Sequence, residues 1–513
     1  MQTSTSALLV AIARIDIGGD LDLLLQLQLV RIARVNLKSQ QRNYADIQSQ
    51  FQGNKKSVVE VDQALQGLLG ARQQILDTEI GLQNSLDQFK IVLGLPPRLP
   101  VELDDRPLDQ FVVVAPDTEK LRDEVEQFRL ARNKEEGAVP DAESLRRSFD
   151  ELAKLAEQAE AAVRQAEADL KSWQPLLDRP ARPGDDPEAR ERAAATYRQA
   201  AGFPDEGRKA LKDLAAAVVR HRAELRDDTR KPAWEALVKD TKSLTEVVDS
   251  AIAAQSLARI FRIELPAVNP DEAEAIGFAK QNRLDLQNQL ALVTDAWRKV
   301  IVAANALQSG LAVTAGANLL AAPDARHPFD LSNDASRYAI GLQFDGPLNR
   351  LAERNQYRAA QISYQRARRA YMALSDQVEQ EVRLNLRSLR QSRTSFEISR
   401  QRLIAAARQV ENERAQQAAP AAAQPRGGQS RDSTLSTLQA LANLNSARND
   451  LAGTFIRYEQ QRVQLLLNLE QMQLDARGFP TNAAPPRADS GPPAGRPPGG
   501  DSPPVAPPAL QRD

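Results

Sequence analysis

The chain has 513 residues, of which 42% are hydrophobic and 26% are charged, and its 67 basic and 68 acidic side chains nearly cancel to a net charge of −1. It contains no cysteine, which excludes disulfides and thiolate metal sites. No basic domain stands apart from the rest of the chain, so the composition does not indicate nucleic acid as a partner. No run of about 18 apolar residues occurs, and a transmembrane helix is therefore not expected.

Residues 1–97 are predicted to form a helical hairpin. Apolar residues recur at helical spacing up to about residue 50, the pattern breaks at 51–54, and it resumes from Ser57. A glycine followed by prolines at 94–97 ends the second helix. Two long helices joined by so few residues must lie antiparallel.

Two segments of different character follow the hairpin. Residues 98–116 contain proline and are acidic, which is typical of a linker. Residues 117–265 are helical in pattern, but charged side chains cover most positions. We interpret this second segment as an inserted helical subdomain with solvated faces.

A short β-hairpin is predicted in the second half of the chain. After a helix at 269–309, the hydrophobic period changes to two at 311–319 and again at 338–344, which predicts two strands. Strands of about this length that alternate apolar with small or polar residues are typical of membrane barrels. A soluble hairpin is the alternative, but an isolated hairpin is only marginally stable in water. The side chains predicted to face lipid are Leu311, Val313, Leu319, Tyr338, Ile340, Leu342 and Phe344.

The longest predicted element is a helix at 348–413, about 100 Å long at the usual rise. It contains no internal proline, and apolar residues recur every seven positions with one step of four, which is typical of a coiled coil with a stutter. A solvated structural rod is the alternative. A last helix is predicted at 433–477, and the Pro- and Gly-rich residues 481–513 are predicted to be disordered. The predicted seam residues are Tyr357, Tyr364, Tyr371, Val378, Val382, Leu389, Phe396, Leu403 and Val410.

Two of the helices look like copies of one unit. Six identities share one offset of 376 residues, and both helices end in Gly-x-Pro. Such matches could arise by chance in Ala- and Gln-rich helices, but the shared stop and hairpin context favour a duplication. The fold class predicted is therefore mainly α, with long antiparallel coiled-coil hairpins in two repeats (1–97 and 266–480) plus one membrane-type β-hairpin. The matched pairs are Ser57 with Ser433, Gln63 with Gln439, Ala64 with Ala440, Leu65 with Leu441, Ala71 with Ala447, and Arg72 with Arg448.

In this order, the motifs resemble the TolC-like outer-membrane efflux proteins. The resemblance covers roughly residues 20–97 and 266–480, and it rests first on the repeated pattern of a glycine turn, Ser, Ala-Leu, Ala-Arg and Gly-x-Pro. It also rests on Asn282-Arg283-x-Asp-Leu at a helix start, and on Ile340-Gly-Leu-x-Phe-Asp-Gly-Pro-Leu348 between a strand and a helix.

The resemblance implies a homotrimer that forms an α-barrel and a β-barrel, set in the lipid of a bacterial outer membrane and continued by a helical tunnel through the periplasm. A periplasmic adaptor protein and an inner-membrane transporter would be its partners in an efflux or secretion system. The tunnel would be a passive conduit that opens where the helical hairpins turn. The residues placed at these turns, as candidates for adaptor contact or as ordinary turn charges, are Gly53, Lys55, Lys56, Ser57, Gly427, Gly428, Arg431, Asp432 and Ser433.

The chain departs from the family pattern in three respects. The first repeat lacks its initial helix and its strands, so a trimer would supply half the usual number of strands. The apolar stretch at 7–12 is too short for a secretion signal. We therefore predict that the chain starts late and that codons for these missing parts lie upstream. The third departure is the insertion at 117–265 together with an Ala/Pro-rich second turn.

No catalytic constellation is evident, and no enzyme activity, cofactor or metal is predicted. The two histidines, His221 and His327, are far apart in sequence. The acidic pairs at 104–105 and 185–186 lie in linkers and are interpreted as solvated. The three tyrosines of the seam are interpreted as packing residues and not as a ligand ladder. A soluble coiled-coil scaffold and a non-functional truncated channel remain the alternative functions.

Overall fold

A computed structural model describes residues 17–472 except for 54–55, 102, 135–139, 180–186, 227, 267, 269, 321–330, 332, 334–335, 347–349 and 419–429. The side chains of 17–20, 107, 133–134, 189, 345, 414–418 and 430–433 are not described either. The predicted disordered tail at 481–513 lies outside the described residues.

The described chain is mainly helical, with one pair of strands, as predicted. A short 3-10 helix covers Arg106–Phe111. The helices are α1 (Ile17–Gln52), α2 (Val58–Val92), α3 (Pro116–Lys134), α4 (Ala142–Leu177), α5 (Pro187–Ala200), α6 (Phe203–Ala223), α7 (Arg230–Arg262), α8 (Glu272–Asn282), α9 (Leu284–Asn305), α10 (Leu351–Ala418) and α11 (Ser430–Asn468), and the strands are β1 (Gly310–Asn318) and β2 (Arg337–Asp345).

The described residues form two compact units. Unit 1 contains the chain up to Val268 together with Arg387–Gln464, and unit 2 contains Asn269–Leu386 together with Leu465–Met472. The long helix α10 therefore contributes its first part to unit 2 and its last part to unit 1. The domain boundaries inferred from the sequence stay a prediction.

Unit 1 contains both predicted helical hairpins. In the first, α1 packs antiparallel on α2, which begins with a capping box between Ser57 and Glu60. Gly94 takes a positive φ of 71° just beyond α2, as expected of the glycine that was predicted to end this helix. In the second hairpin, Val410 of α10 packs against Ala440 and Leu441 of α11. The predicted long antiparallel hairpins are thus confirmed.

The heptad seam of α10 is buried as the sequence predicts. In unit 1 its residues Leu389, Phe396, Leu403 and Val410 are all buried. In unit 2, Val378 and Val382 are fully buried on either side of the predicted four-residue step. The seven-residue period therefore reports the face on which this helix packs.

The inserted helices α3–α7 form a bundle with a large apolar core. Trp173 of α4 stacks on Phe261 of α7 with ring centroids 4.4 Å apart, and it meets Tyr197 of α5 edge-on at 5.2 Å. Sequence analysis recognised the charged outer faces but not this core. The buried stripe of α4 was nevertheless detectable, because large apolar side chains recur along it at helical spacing: Leu145, Phe149, Leu152, Leu155, Val163, Leu170 and Trp173.

The bundle is fastened to both hairpins of unit 1. On the first hairpin, Arg42 of α1 forms an ion pair with Asp123 of α3. On the second hairpin, Arg400 of α10 donates to the carbonyl oxygen of Ile263 at 2.5 Å, and its guanidinium group lies 4.9 Å from the ring centre of Phe396. Burial lowers the pKa of Arg400, and the charge of Glu397 opposes this shift.

In unit 2, α9 packs on the first part of α10. The tyrosine seam meets Val293 and Val300 of α9, and the rings of Trp297 and Tyr364 lie 5.3 Å apart. Tyr357 and Tyr371 are partly buried against the same cluster. The tyrosines are therefore packing residues, as interpreted from the sequence.

Two helix predictions were wrong in their boundaries. The helix predicted at 269–309 is two helices, because Arg283 takes an extended conformation between α8 and α9. The last helix ends at Asn468 instead of continuing to residue 477, and Glu470 takes a positive φ of 50° just beyond it. Among the described helices, none is long and apolar enough to cross a membrane.

Candidate functional site

The β-hairpin has one apolar face and one small or polar face. Directly opposed residues of an antiparallel pair lie on the same face of the sheet. The apolar face therefore consists of the opposed pairs Leu311 with Phe344, Val313 with Leu342, Ala315 with Ile340, and Ala317 with Tyr338. The other face consists of Ala312 with Gln343, Thr314 with Gly341, Gly316 with Ala339, and Asn318 with Arg337.

The strand prediction is confirmed to within one residue at each end. Leu319, which was assigned to the lipid-facing set, lies one residue beyond the end of β1. Gly341 is required by the close approach of the strands, since a Cβ atom there would lie 2.6 Å from Thr314 Oγ1.

The apolar face of the hairpin is uncovered. Ile340 is 81% exposed, Leu342 74% and Phe344 70%. Within the described residues, β1 and β2 pair only with each other, so both outer edges carry unpaired backbone groups. Such a hairpin is stable only if further strands pair with its edges and an apolar environment covers its apolar face.

Aromatic side chains stand at the two ends of the apolar face. Tyr338 and Phe344 lie on β2, about 20 Å apart at the usual rise of a strand. Membrane barrels carry an apolar band about 25 Å tall between two aromatic girdles. Each strand has nine residues, at the lower end of the about 9–11 that a tilted membrane strand needs, and aromatic side chains border the apolar face at both ends.

Arg350 holds the base of the hairpin to the helices. Its guanidinium group donates to the carbonyl oxygens of Ala306 at 2.8 Å and Gln308 at 2.6 Å, just beyond the end of α9. It also donates to the carbonyl oxygen of Gly346, just beyond β2, at 3.3 Å. A buried cation thus satisfies carbonyl groups from both connections of the hairpin.

A polar link joins the starts of α2 and α11, close to where the helical hairpins turn. Glu60 is only 2% exposed and accepts hydrogen bonds from Lys56 Nζ at 2.7 Å and from the backbone N–H of Ser57 at 2.8 Å. The hydroxyl group of Thr434 donates to the same carboxylate at 3.0 Å. We call Lys56, Glu60 and Thr434 the tip link.

The charge state of Glu60 follows from these contacts. Burial raises the pKa of its carboxyl group, but the hydrogen bonds from Lys56, Ser57 and Thr434 together outweigh burial. The pKa of Glu60 therefore lies below its usual range, and the group is ionised at neutral pH. The tip link is an ion pair bridged to the second hairpin by a hydroxyl group.

The residues predicted at the tips have different places in the structure. Gly53 lies in the turn after α1, Ser57 caps α2, and the side chain of Lys56 is taken up in the tip link. Lys55, Gly427 and Gly428 lie outside the described residues, and the side chains of Arg431, Asp432 and Ser433 in the first turn of α11 are not described. Their contact with an adaptor stays a prediction.

Sequence reasoning missed Glu60 and Thr434. The spacing of Ser57 and Glu60 is that of a capping box, so the position of Glu60 at a helix start was detectable. Nothing in the sequence pairs Glu60 with Thr434, because 374 residues separate them.

About 20 Å along α2 from Glu60, α11 packs against α1 and α2 through small residues and carboxamides. The side-chain oxygen of Gln74 accepts hydrogen bonds from Asn36 at 3.1 Å and from Asn445 at 3.2 Å. Among the described residues, the amide oxygens of Gln40 and Asn445 are buried without a partner. Because an unpaired buried polar atom costs about 1–3 kcal/mol, separation of the hairpins would release part of this cost.

The two repeats share their packing but not their surroundings. Ala64 and its counterpart Ala440 are both fully buried. Arg72 is exposed, whereas the bundle approaches its counterpart Arg448. Burial lowers the pKa of Arg448 to about 10, while the nearby charge of Glu119 on α3 raises it. The insertion therefore partly buries Arg448 but leaves its counterpart Arg72 exposed.

The Arg283 motif of the sequence is an ion-pair network. Arg283 donates to Asp285 at 2.6 Å and to Glu381 of α10 at 2.6 Å. These hydrogen bonds, chiefly that to Asp285, raise the pKa of Arg283, and Arg283 lowers the pKa of Asp285. The motif thus fastens the start of α9 to α10.

The titratable groups noted in the sequence form no reactive set among the described residues. His221 Nδ1 lies 2.8 Å from the buried carboxylate of Asp240, whereas His327 and the pair at 185–186 lie outside the described residues. Asp104 forms an ion pair with Arg106, and Asp105 with Arg31. Across the described ranges, no three His, Asp or Glu side chains are placed to hold a metal ion.

The two helical hairpins, and the β-hairpin that precedes the long helix in the chain, agree with what the sequence resemblance to the TolC-like outer-membrane efflux proteins predicts. No protein-family model matches the sequence, and no curated protein matches it.

Three similar solved structures are outer-membrane proteins or channels. VceC from Vibrio cholerae is 17% identical, with 69% of this chain and 75% of that chain covered and a TM-score of 0.30. The open state of MtrE from Neisseria gonorrhoeae is 13% identical, with 68% and 71% covered and a TM-score of 0.29. The outer-membrane channel OprN is 15% identical, with 91% and 66% covered and a TM-score of 0.34.

Proposed function

We propose that this chain is a subunit of an outer-membrane efflux channel. The observation that carries the proposal is the β-hairpin, whose apolar face is exposed and whose polar face lies opposite. Lipid is the surrounding that favours such a face, and alternation of this kind is typical of a membrane barrel. The polar face would then line a water-filled route.

Several copies are needed to complete the barrel. Two strands leave two open edges, and a membrane tolerates strands only in a closed barrel. Copies of the same chain can supply the missing pairing partners. Following the family resemblance, we propose a homotrimer.

The repeat supports assembly by the helical hairpins as well. Within one chain, Gln74 of α2 bonds to Asn445 of α11. In the internal repeat, Gln74 corresponds to Asp450, and Asn445 corresponds to Leu69. If the contact between Gln74 and Asn445 is repeated between chains, Asp450 of one copy therefore meets Leu69 of the next copy. Leu69 and Asp450 are both exposed, so each is available for this contact. A heterologous contact that is repeated in this way closes a ring if its rotation returns to the first copy, as the proposed homotrimer requires.

The route through the channel would be passive and gated near the tips. The tip link holds the two hairpins of one subunit together, and the carboxamide contact further along α2 contains buried oxygens without a partner among the described residues. A partner that binds the separated hairpins better would therefore open the tunnel. In this proposal the partners are a periplasmic adaptor and an inner-membrane transporter, and the helical part lies in the periplasm.

A soluble coiled-coil scaffold is the second candidate, favoured by the long seam of α10. The two candidates differ in what the hairpin does, and adjacent residues on its two faces form a matched pair of variants. Leu342→Arg places a charge on the apolar face, and Gln343→Arg places the same charge on the polar face.

We expect Leu342→Arg to lower partition of the full chain into phosphatidylcholine vesicles by about 2–4 kcal/mol, or at least about 30-fold. Gln343→Arg should leave partition nearly unchanged. Flotation of the vesicles with bound protein measures both. Equal behaviour of the two variants, or recovery of the wild-type chain only as a soluble species, would defeat the channel proposal and favour the scaffold.

A further inference from the structure

Two exposed arginines follow the hairpin directly on α10. Arg354 and Arg358 lie one helical turn apart on the side of α10 that is turned away from the seam with α9. Neither forms an ion pair with a described carboxylate. Arg366 and Arg369, further along the same helix, are likewise exposed and without such a pair.

The contacts of Arg350 provide a reference point from which the distance of these arginines from the hairpin can be measured along α10. Arg350 bonds carbonyl groups at the ends of both α9 and β2, so it marks the base of the hairpin. At the usual helical rise, Arg354 and Arg358 lie about 6 and 12 Å along the helix from Arg350. Arg366 and Arg369 lie about 24 and 29 Å from it.

We propose that Arg354 and Arg358 bind the phosphate groups of anionic phospholipids at the membrane surface that borders the base of the hairpin. This inference rests on the proposed function, which places the apolar face of the hairpin in lipid. We call Arg354 and Arg358 the upper pair, and Arg366 and Arg369 the lower pair. The headgroup layer on each side of a bilayer is about 5–8 Å thick, so only the side chains of the upper pair lie within reach of it.

Charge and chemistry favour this partner. A guanidinium group binds phosphate oxygens through two parallel hydrogen bonds, which a lysine cannot do. Each basic side chain near an anionic lipid surface contributes about 1 kcal/mol to binding. A pair of unpaired arginines at the edge of a lipid-facing element therefore fits an anionic headgroup.

The other possible occupants are an anionic solute in the lumen and a carboxylate of a neighbouring copy. Neither of these occupants would make partition depend on the anionic lipid of a vesicle, so a comparison of neutral and anionic vesicles separates both from a headgroup. Arg366 and Arg369 thus provide a matched control on the same helix, with the same charge and exposure.

The test uses the full chain and two kinds of vesicle, one of pure phosphatidylcholine and one with a quarter of phosphatidylglycerol. Flotation at low salt measures the partition of the wild type, of Arg354→Gln/Arg358→Gln and of Arg366→Gln/Arg369→Gln. We expect the upper-pair variant to lose about 30-fold in partition to the anionic vesicles, the equivalent of about 1 kcal/mol for each guanidinium group. Partition to neutral vesicles should not change, and the lower-pair variant should behave like the wild type.

Two outcomes would overturn the inference: an unchanged preference of the upper-pair variant for anionic vesicles, or an equal loss in the lower-pair variant. Failure of the wild type to bind neutral vesicles would instead remove the proposed function, since the hairpin alone should provide that binding.

Discussion

At the scale of single residues, Glu60 connects the two helical hairpins. We expect Glu60→Gln to lower the free energy of opening at the start of α2 by about 3 kcal/mol, because a neutral amide no longer compensates the ammonium group of Lys56. The side chain of Lys56 is only 12% exposed, so solvent screens it little. Hydrogen–deuterium exchange of the first turns of α2 measures the change.

An exposed ion pair on the same hairpin provides the control. Arg34 and Glu79 lie 2.9 Å apart with both side chains exposed, and Glu79→Gln should cost less than about 1 kcal/mol. Unchanged exchange at the start of α2 in Glu60→Gln would show that the tip link does not hold the hairpins.

The same variant reports the pH dependence of the link. Because the pKa of Glu60 is lowered in the folded chain, its ionised form stabilises the fold above the usual glutamate pKa of about 4.3. That contribution is lost as the pH falls through the lowered pKa of the folded state. The difference between the wild type and Glu60→Gln should therefore shrink below about pH 4.

At the scale of elements, the approach of α11 to α2 depends on Gly67. A Cβ atom at Gly67 would lie 2.9 Å from Leu438 Cδ2 of α11, whereas a Cβ atom at Gly70 meets nothing within 4 Å. Gly→Ala in a helix normally stabilises by about 0.5–1 kcal/mol. We expect this gain for Gly70→Ala and a smaller gain or a loss for Gly67→Ala in thermal unfolding of the full chain. Equal gains would indicate that α2 and α11 are not in close contact there.

At the scale of the whole molecule, the repeat predicts which surfaces join two copies. The chain has no cysteine, so introduced cysteines are the only ones present. We expect Leu69→Cys combined with Asp450→Cys to yield covalent oligomers on oxidation, because these positions repeat the contact of Asn445 with Gln74 between chains. Denaturing electrophoresis measures the products.

Two controls accompany this experiment. Gln74→Cys combined with Asn445→Cys should cross-link within one chain, since these side chains are in contact. Each single variant should remain monomeric under denaturing conditions. Intrachain products alone from the Leu69 and Asp450 pair would contradict the ring.

The parts of the fold that could be predicted are those whose signal is the spacing of apolar residues along a single helix or strand. The seven-residue period of α10 predicted its buried face, because apolar side chains at that spacing must share one side of a helix. The alternation in β1 and β2 predicted both faces of the hairpin for the same reason, with period two.

The parts that could not be predicted depend on neighbours that are distant in sequence. Arg283 interrupts a helix because Asp285 and Glu381 bind its side chain. In the core of the inserted bundle, Trp173 stacks on Phe261, which is distant from it in sequence. Local periodicity contains neither kind of information.

The sequence alone determined most of the elements and the packed or apolar faces of α10 and the β-hairpin, because these follow from the spacing of side chains along one chain. Only the tertiary structure decided that Glu60 binds Thr434 and that the inserted bundle partly buries Arg448 but not its counterpart Arg72. Hydrogen bonds and buried charges depend on distances of a few ångströms between groups, and folding sets those distances irrespective of separation along the chain.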